Sequence, residues 1–349
     1  MIDTSLETGA HEPVRYPRRS SPCLTCPTSP CCTYLPLHTF QVTTMVELDH
    51  AAYLLNFDRI ELGLSASGTW TVAYRQACRH LDPVDRSCRV HGTPEQPQIC
   101  ARYNPHHCWY KRVLTSPTSP DHIRLDRRRF EQLVAHLEFD DGGDLVACPP
   151  WAELVELLAD PIVEPPLDAG AARSVPPPDA VPVQFVDPPR RRRGDDLFTY
   201  AEVGNPCDGC AAHCCTKLLF PYPVPAARSN LDHLRFCLGF PGVSVSVADG
   251  AWSLVVDTTC RHLDGGRCAV HGQPERPDLC TYYDEWTCAY RVQFGDHPAA
   301  APRARGEQWE LLVSCFRFDA EGNVVEMLTA DGIGQVLAAG RPVAELVAV

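Results

Sequence analysis

Two short stretches carry the chemistry of this chain, CLTCPTSPCC at 23–32 and CDGCAAHCC at 207–215. Each places four thiols within ten residues and ends on two adjacent ones. A Cys-x2-Cys turn brings two thiolates to one metal and leaves backbone amides free to point at the sulfurs. That suits zinc, at about 2.3 Å per sulfur, or an iron–sulfur cluster. Neighbouring side chains diverge whether the backbone is extended or helical. The double cysteine is therefore awkward on one tetrahedral ion. It reads as a device that divides ligands between two centres, or that serves one centre and leaves a free or bridging thiolate.

Both stretches belong to a tandem repeat, and repeats take precedence over any local reading. CRHLDPVDRSCRVHGTPEQPQICARYNPHHCWY at 78–110 stands beside CRHLDGGRCAVHGQPERPDLCTYYDEWTCAY at 260–290. Both copies read C-R-H-L-D, then C-x-V-H-G-x-P-E-x-P-x-x-C-x-x-Y-x4-C-x-Y. Weaker echoes extend the match. Leu48-Asp49-His50 and Leu231-Asp232-His233 each begin 16 residues after the cysteine pair, and Trp70 and Trp252 each precede the next cysteine by eight.

Eight cysteines per repeat occupy matching places. The first set is Cys23, Cys26, Cys31, Cys32, Cys78, Cys88, Cys100 and Cys108; the second is Cys207, Cys210, Cys214, Cys215, Cys260, Cys268, Cys280 and Cys288. They account for 16 of the 19 cysteines. Cys148, Cys237 and Cys315 have no counterpart and read as small buried apolar residues. Eight thiols make either two four-thiolate sites per repeat, or one four-cysteine cluster beside a more open site. All-sulfur ligation fits zinc, iron–sulfur clusters or copper(I). A four-thiolate centre carries about −2, which is costly to bury without amides or cations nearby. Arg79, Arg89, Arg102, Arg261 and Arg267 lie within two residues of these cysteines and either screen that charge or face solvent. His80, His91, His262 and His271 recur at equal places and suit structural or ligand-orienting roles better than ligation, since thiols already suffice. Tyr103, Tyr110, Tyr283 and Tyr290 read as packing beside the site, and Asp82 and Asp264 as turn caps.

Composition limits the alternatives. A net charge of −13 argues against a general nucleic-acid binder. The run Arg190–Arg193 has no interleaved aromatics and reads as solvated. No apolar run approaches the roughly 18–20 residues of a membrane span, and the first residues lack a signal-peptide core. The expected location is cytoplasmic, where thiols stay reduced and clustered cysteines bind metal more often than they pair. No P-loop, no G-x-G-x-x-G after a strand and no G-x-S-x-G is present.

The elements that must position these thiols form an α+β fold of two tandem small cysteine-rich, metal-stabilised domains, with irregular loops, short helices and short strands. A flexible arm covers 1–19, the first domain 20–160, a Pro/Arg-rich linker 161–197 and the second domain 198–349. Apolar spacing predicts helices over 43–57, 126–137, 151–159, 226–238 and 306–316. TWTVAY at 69–74 and AWSLVVD at 251–257 read as strands, and hairpins turn on glycine at 139–146 and 318–325.

At these cysteines the chain resembles the YkgJ-type family, also described as the CxxCxxCC or zinc- or iron-chelating domain. The second repeat matches throughout, with Val270-His271, Arg276-Pro277 and Cys280; the first has Gln96-Pro97 where Arg-Pro is usual. The resemblance implies an iron–sulfur cluster or zinc as cofactor, with the sixteen repeated cysteines as metal ligands. A flagellin lysine N-methylase branch shares the cysteine signature, although no S-adenosylmethionine site is recognisable here. Three functions follow as expectations: a metal-binding protein with duplicated clusters, an iron–sulfur protein-modifying enzyme, or a structural zinc module for protein interaction. The expected partners are metal ions and a protein partner or protein substrate, with no nucleic acid and no membrane.

Overall fold

The structure is a computed structural model. It describes residue 26 and residues 29–104, 108–114, 121–162, 191–193, 196–198, 211–248, 250–271, 273–283, 288–294, 301–340 and 342. Cys23, Cys207, Cys210, the N-terminal arm and most of the linker lie outside the described residues.

The chain contains both helices and sheets, as an α+β fold requires. In the first repeat, strand β1 (Tyr34–Gln41) leads to helix α1 (Met45–Leu54), then to strands β2 (Ile60–Ser65) and β3 (Thr69–Arg75). Short helices α2 (Gln98–Ala101) and α3 (Trp109–Leu114) carry the later cysteines, followed by β4 (His122–Leu125) and α4 (Arg127–Val134). A small hairpin, β5 (Glu138–Phe139) and β6 (Leu145–Ala147), and α5 (Trp151–Leu157) complete it. Within the Pro/Arg-rich stretch, β7 (Arg191–Arg193) pairs with β8 (Asp196–Phe198). The second repeat runs α6 (His213–Thr216), β9 (Lys217–Tyr222), α7 (Arg228–Leu238), β10 (Val243–Ala248), β11 (Ala251–Asp257), the two-residue strands β12 (Leu263–Asp264) and β13 (Arg267–Cys268), α8 (Asp278–Thr281) and α9 (Ala289–Phe294). It ends with β14 (Arg303–Ala304), α10 (Gly306–Ser314), the hairpin β15 (Arg317–Phe318) and β16 (Val324–Glu326), and α11 (Ala330–Ala339).

Each repeat builds one antiparallel sheet of the same order, β1-β3-β2-β4 and β9-β11-β10-β14. The central pairs are in equal register, with Leu64 opposite Trp70 and Val247 opposite Trp252. Pro36 and Pro221 both fall on the edge strands β1 and β9, where a missing amide costs no ladder bond. Helices α1 and α7 start against the small hairpins. Met45 donates to the Gly143 carbonyl at 2.8 Å and Arg228 to that of Gly322 at 2.9 Å. Thr44 and Glu47 close a reciprocal cap at the start of α1. In α7 the Asn230 side chain takes the amides of Ala226 and Ala227 at 3.1 Å.

The two repeats share one core. The buried apolar cluster runs without a break from Leu35 and Leu62 through Phe57 and Leu234 to Trp252 and Trp309. The cross-repeat contacts come in pairs with the repeats exchanged. Arg79 donates its amide to Gly239 O at 2.8 Å, and Arg261 donates its amide to Asn56 O at 2.7 Å. Such exchange is the mark of a two-fold relation between the halves. No helix among the described residues is long and apolar enough to cross a membrane.

Of the three unmatched cysteines, Cys237 is fully buried, Cys315 half-buried and Cys148 exposed. The reading of Cys148 as a buried apolar residue is corrected: it follows β6, the outer strand of a surface hairpin, and little packs over it. Cys237 lies in the shared core, and burial pushes its thiol up to about 12. Cys237→Ser buries a hydroxyl in place of a sulfur and is expected to cost about 1–3 kcal/mol. Cys237→Ala should cost less, because nothing polar is left unpaired. Chemical denaturation of the two variants checks this.

Candidate metal centre

The local backbone around the cysteines is repeated bond for bond. Cys32 and Cys215 donate to Ser29 O and Ala212 O, both at 2.9 Å. Ser29 and Ala212 each hold a left-handed backbone, φ 40° and 54°, one residue before the short turn that carries the pair. Non-glycine residues in that region cost about 1–2 kcal/mol and persist where surroundings dictate them. Cys78 then donates to Cys32 O at 2.7 Å and Cys260 to Cys215 O at 2.8 Å, which ties the second cysteine segment to the first. Leu81 bridges to Cys88, and Leu263 pairs with Cys268, so the third segment folds back beside the second. Cys100 and Cys280 sit in the single turns α2 and α8, entered through Pro97 and Pro277.

The outcome is two clusters of five thiols. In the first, Cys31, Cys32, Cys78, Cys88 and Cys100 lie close enough that ionising Cys31, Cys78 or Cys88 opposes ionising Cys100. In the second, Cys214, Cys215, Cys260, Cys268 and Cys280 stand in the same relation. Cys108 and Cys288 immediately precede α3 and α9 and are hydrogen-bonded by the hydroxyls of Tyr103 and Tyr283. Cys26 is buried, with Ser29 Oγ donating to its carbonyl at 3.2 Å. No disulfide joins any two of the described cysteines.

The adjacent pair behaves alike in both repeats. Cys31 Sγ and Cys32 Sγ are 4.0 Å apart. The hydrogen bond from Cys32 holds the Cys31 thiol below the usual range, and Cys215 does the same for Cys214. Lys111 and Arg276 add positive charge in the same direction. Burial pushes Cys78 and Cys260 up to about 11 and Cys280 to about 12.

Among the charged residues that flank the cysteines, Arg276 was missed as a screening cation. Its Nη1 meets His271 Nδ1 at 2.7 Å, and its Nη2 donates to Cys280 O at 2.6 Å. Arg79 reaches the opposite repeat through Nη2 to Leu238 O at 2.7 Å. Arg89 pairs with Asp82 at the surface, and Arg102 and Arg261 are exposed. Asp82 caps its turn by accepting from Val84 N at 2.8 Å. Two of these histidines meet polar neighbours: His91 meets Gln96 at 3.4 Å, and His262 Nε2 meets Asn56 Oδ1 at 3.2 Å.

Around the second cluster the structure opens into a cavity of about 270 Å³. Its thiol wall is Cys214, Cys215, Cys260, Cys268, Cys280 and Cys288; the opposite wall comes from the first repeat through His50, Tyr53 and Phe57. Tyr53 donates to Cys214 O at 3.3 Å, and its hydroxyl also bonds that of Tyr290. The corresponding place in α7 is Phe236, and that of Asn56 is Gly239, so the first cluster lacks these polar neighbours. At Gly239 a Cβ would fall 3.2 Å from Cys78 Sγ, closer than an ordinary van der Waals contact.

The donor set is soft and cationically screened, which fits a thiophilic metal. The described thiols converge without closing on a point. No group of three or more Cys, His, Asp or Glu among the described residues stands in ready ligand geometry. No family model, curated protein or solved structure matches this chain.

Proposed function

We propose that the chain is a metal-binding protein whose duplicated cysteine clusters chelate iron–sulfur or zinc centres. The observation that carries this reading is the convergence of five thiols from four chain segments, made twice by the same hydrogen bonds. A cluster of buried thiols is costly to ionise unless metal takes the charge. The YkgJ-type resemblance points the same way. In each repeat the residues that would hold the metal are the five converging cysteines, with Cys108 or Cys288 beside them and Cys23, Cys26, Cys207 and Cys210 as the remaining candidates. When bound, zinc would supply folding free energy, and an iron–sulfur cluster would add one-electron chemistry. Arg276 and Lys111 offset part of the thiolate charge, and Tyr103 and Tyr283 orient the last sulfur of each set.

Ligand substitution tests this. Cys100→Ser and Cys280→Ser are each expected to lower retained metal by about half, because each disables one of two centres. Cys315→Ser, on a cysteine outside both clusters, should keep the full content. Full metal in both cluster variants would defeat the assignment.

One observation favours a second reading, a protein-modifying iron–sulfur enzyme of the flagellin lysine N-methylase kind. The cavity lies against the second cluster, is lined by Tyr53 and Tyr290, and would hold a substrate side chain beside the thiols. The same cavity would be superfluous in a closed structural zinc module.

A further inference from the structure

Each cysteine cluster is gripped by the helix of the opposite repeat. Asp49 on α1 accepts from the amides of Asp278 at 3.0 Å and Leu279 at 2.7 Å, the first two residues of α8, which carries Cys280. Asp232 on α7 accepts from the amide of Gln98 at 2.6 Å, the first residue of α2, which carries Cys100. Just past the far ends of the same two helices, Asn56 O and Gly239 O take the amides of Arg261 and Arg79 at 2.7 and 2.8 Å. Those arginines directly follow Cys260 and Cys78.

The need for such a grip is physical. A four-residue helix has no stability of its own, because nucleation is not repaid within one turn. Its first amides have no partner inside the helix. Pro97 and Pro277 at the caps offer no side-chain acceptor. A carboxylate from elsewhere satisfies those amides and favours the positive end of the turn. Both repeats bring that carboxylate from the other repeat, at the middle of their repeated Leu-Asp-His. Flanking positions have diverged, Tyr53 against Phe236 and Asn56 against Gly239, yet both ends of the grip persist.

We propose that each cysteine cluster is completed by the opposite repeat: Asp49 is a positioning residue for Cys280, and Asp232 is one for Cys100. The two centres are then built as an interlocked pair. That the pair holds metal rests on the function proposed above; the crossed positioning does not.

The test uses Asp49→Ala and Asp232→Ala in the full chain. Each is pulsed with iodoacetamide in native buffer containing a chelator, and alkylation is read cysteine by cysteine by mass spectrometry. Asp49→Ala is expected to speed labelling of Cys280 about tenfold while Cys100 keeps its wild-type rate, and Asp232→Ala to do the reverse. Gln98→Pro approaches from the donor side. It deletes the amide that Asp232 accepts, and proline is tolerated at the first helical position. It should reproduce the Asp232→Ala pattern, and it decides the Cys100 half of the crossing if Asp232→Ala does not fold; Asp278→Pro, at the first position of α8, does the same for Asp49 and Cys280. Loosening within the mutated repeat, equal loosening at both cysteines, or no change at either overturns the proposal. If the purified chain holds no metal, the metal-binding reading falls while the labelling pattern still decides the crossing.

Discussion

Residues 198–349 expressed alone are expected to show no cooperative thermal transition, whereas the full chain should melt as one unit. The repeat would lose the partner for one face of its core. Phe57, Leu54 and Tyr74 of the first repeat belong to the same buried cluster as Leu218, Leu234 and Val256 of the second. It would also lose backbone partners that no solvent-exposed loop replaces cheaply. Asp58 donates to Thr259 O at 3.0 Å, Thr258 Oγ1 donates to Asp58 O at 2.5 Å, and Tyr74 donates to Pro241 O at 3.1 Å. Domain stability is a difference of only about 5–15 kcal/mol between large terms, so half a core is not enough. Co-expression of residues 20–162 with 191–349 should restore the transition, because the seam supplies those contacts. A sharp melt of the isolated second repeat would show that the halves are independent domains.

Arg124→Ala is the point substitution with the largest expected loss, about 3–5 kcal/mol, since it strands a buried carboxylate. Arg124 on β4 holds Glu61 on β2 through Nε to Oε1 at 2.5 Å and Nη2 to Oε2 at 2.7 Å. The two side chains are only 11% and 8% exposed. Solvent therefore screens the pair weakly, and removing one partner leaves the other in the sheet. The equivalent Arg303→Ala should cost clearly less. There the carboxylate has moved from β10 to β11 as Asp257, with Ser244 at the place of Glu61. Asp257 keeps Arg305 at 3.5 Å and Lys217 at 4.0 Å after Arg303 is gone. Urea denaturation of both variants gives the comparison, and equal losses would mean that the relocated network does not buffer Asp257. Replacing Arg124 and Glu61 together with apolar residues of similar volume should recover most of the loss.

These contrasts also show what the sequence made legible. The repeat, the eight matched cysteines and the long amphipathic helices could be read directly, because spacing and periodicity are local. Strands β1 and β2 could not. YLPLHTFQ contains Pro36, which is tolerated only because β1 is an edge strand with a register shift beside that proline. IELGLS contains Gly63, which weakens a strand signal, yet glycine is required there because the His122 ring lies where a Cβ would go. Leu-Asp-His was visible as an echo and carried no role, since Asp49 and Asp232 act on residues 229 and 134 positions away. Arg276 stood in plain view in the Arg-Pro pair, but its direction toward Cys280 O depends on the fold of the loop. The convergence of distant thiols is likewise a property of the seam and the sheets, not of any one motif.

The central claim, that the interlocked thiol clusters are metal centres, is tested most directly by one measurement. Iron, zinc, copper and acid-labile sulfide are quantified in the full chain purified without oxygen, together with accessible thiols. The account predicts equal metal complements in the two repeats. Those are roughly four iron and four sulfide each in brown protein, or about one or two zinc each in colourless protein. The cluster thiols would be protected in either case. Folded protein with no metal and the cluster thiols open to titration would contradict it.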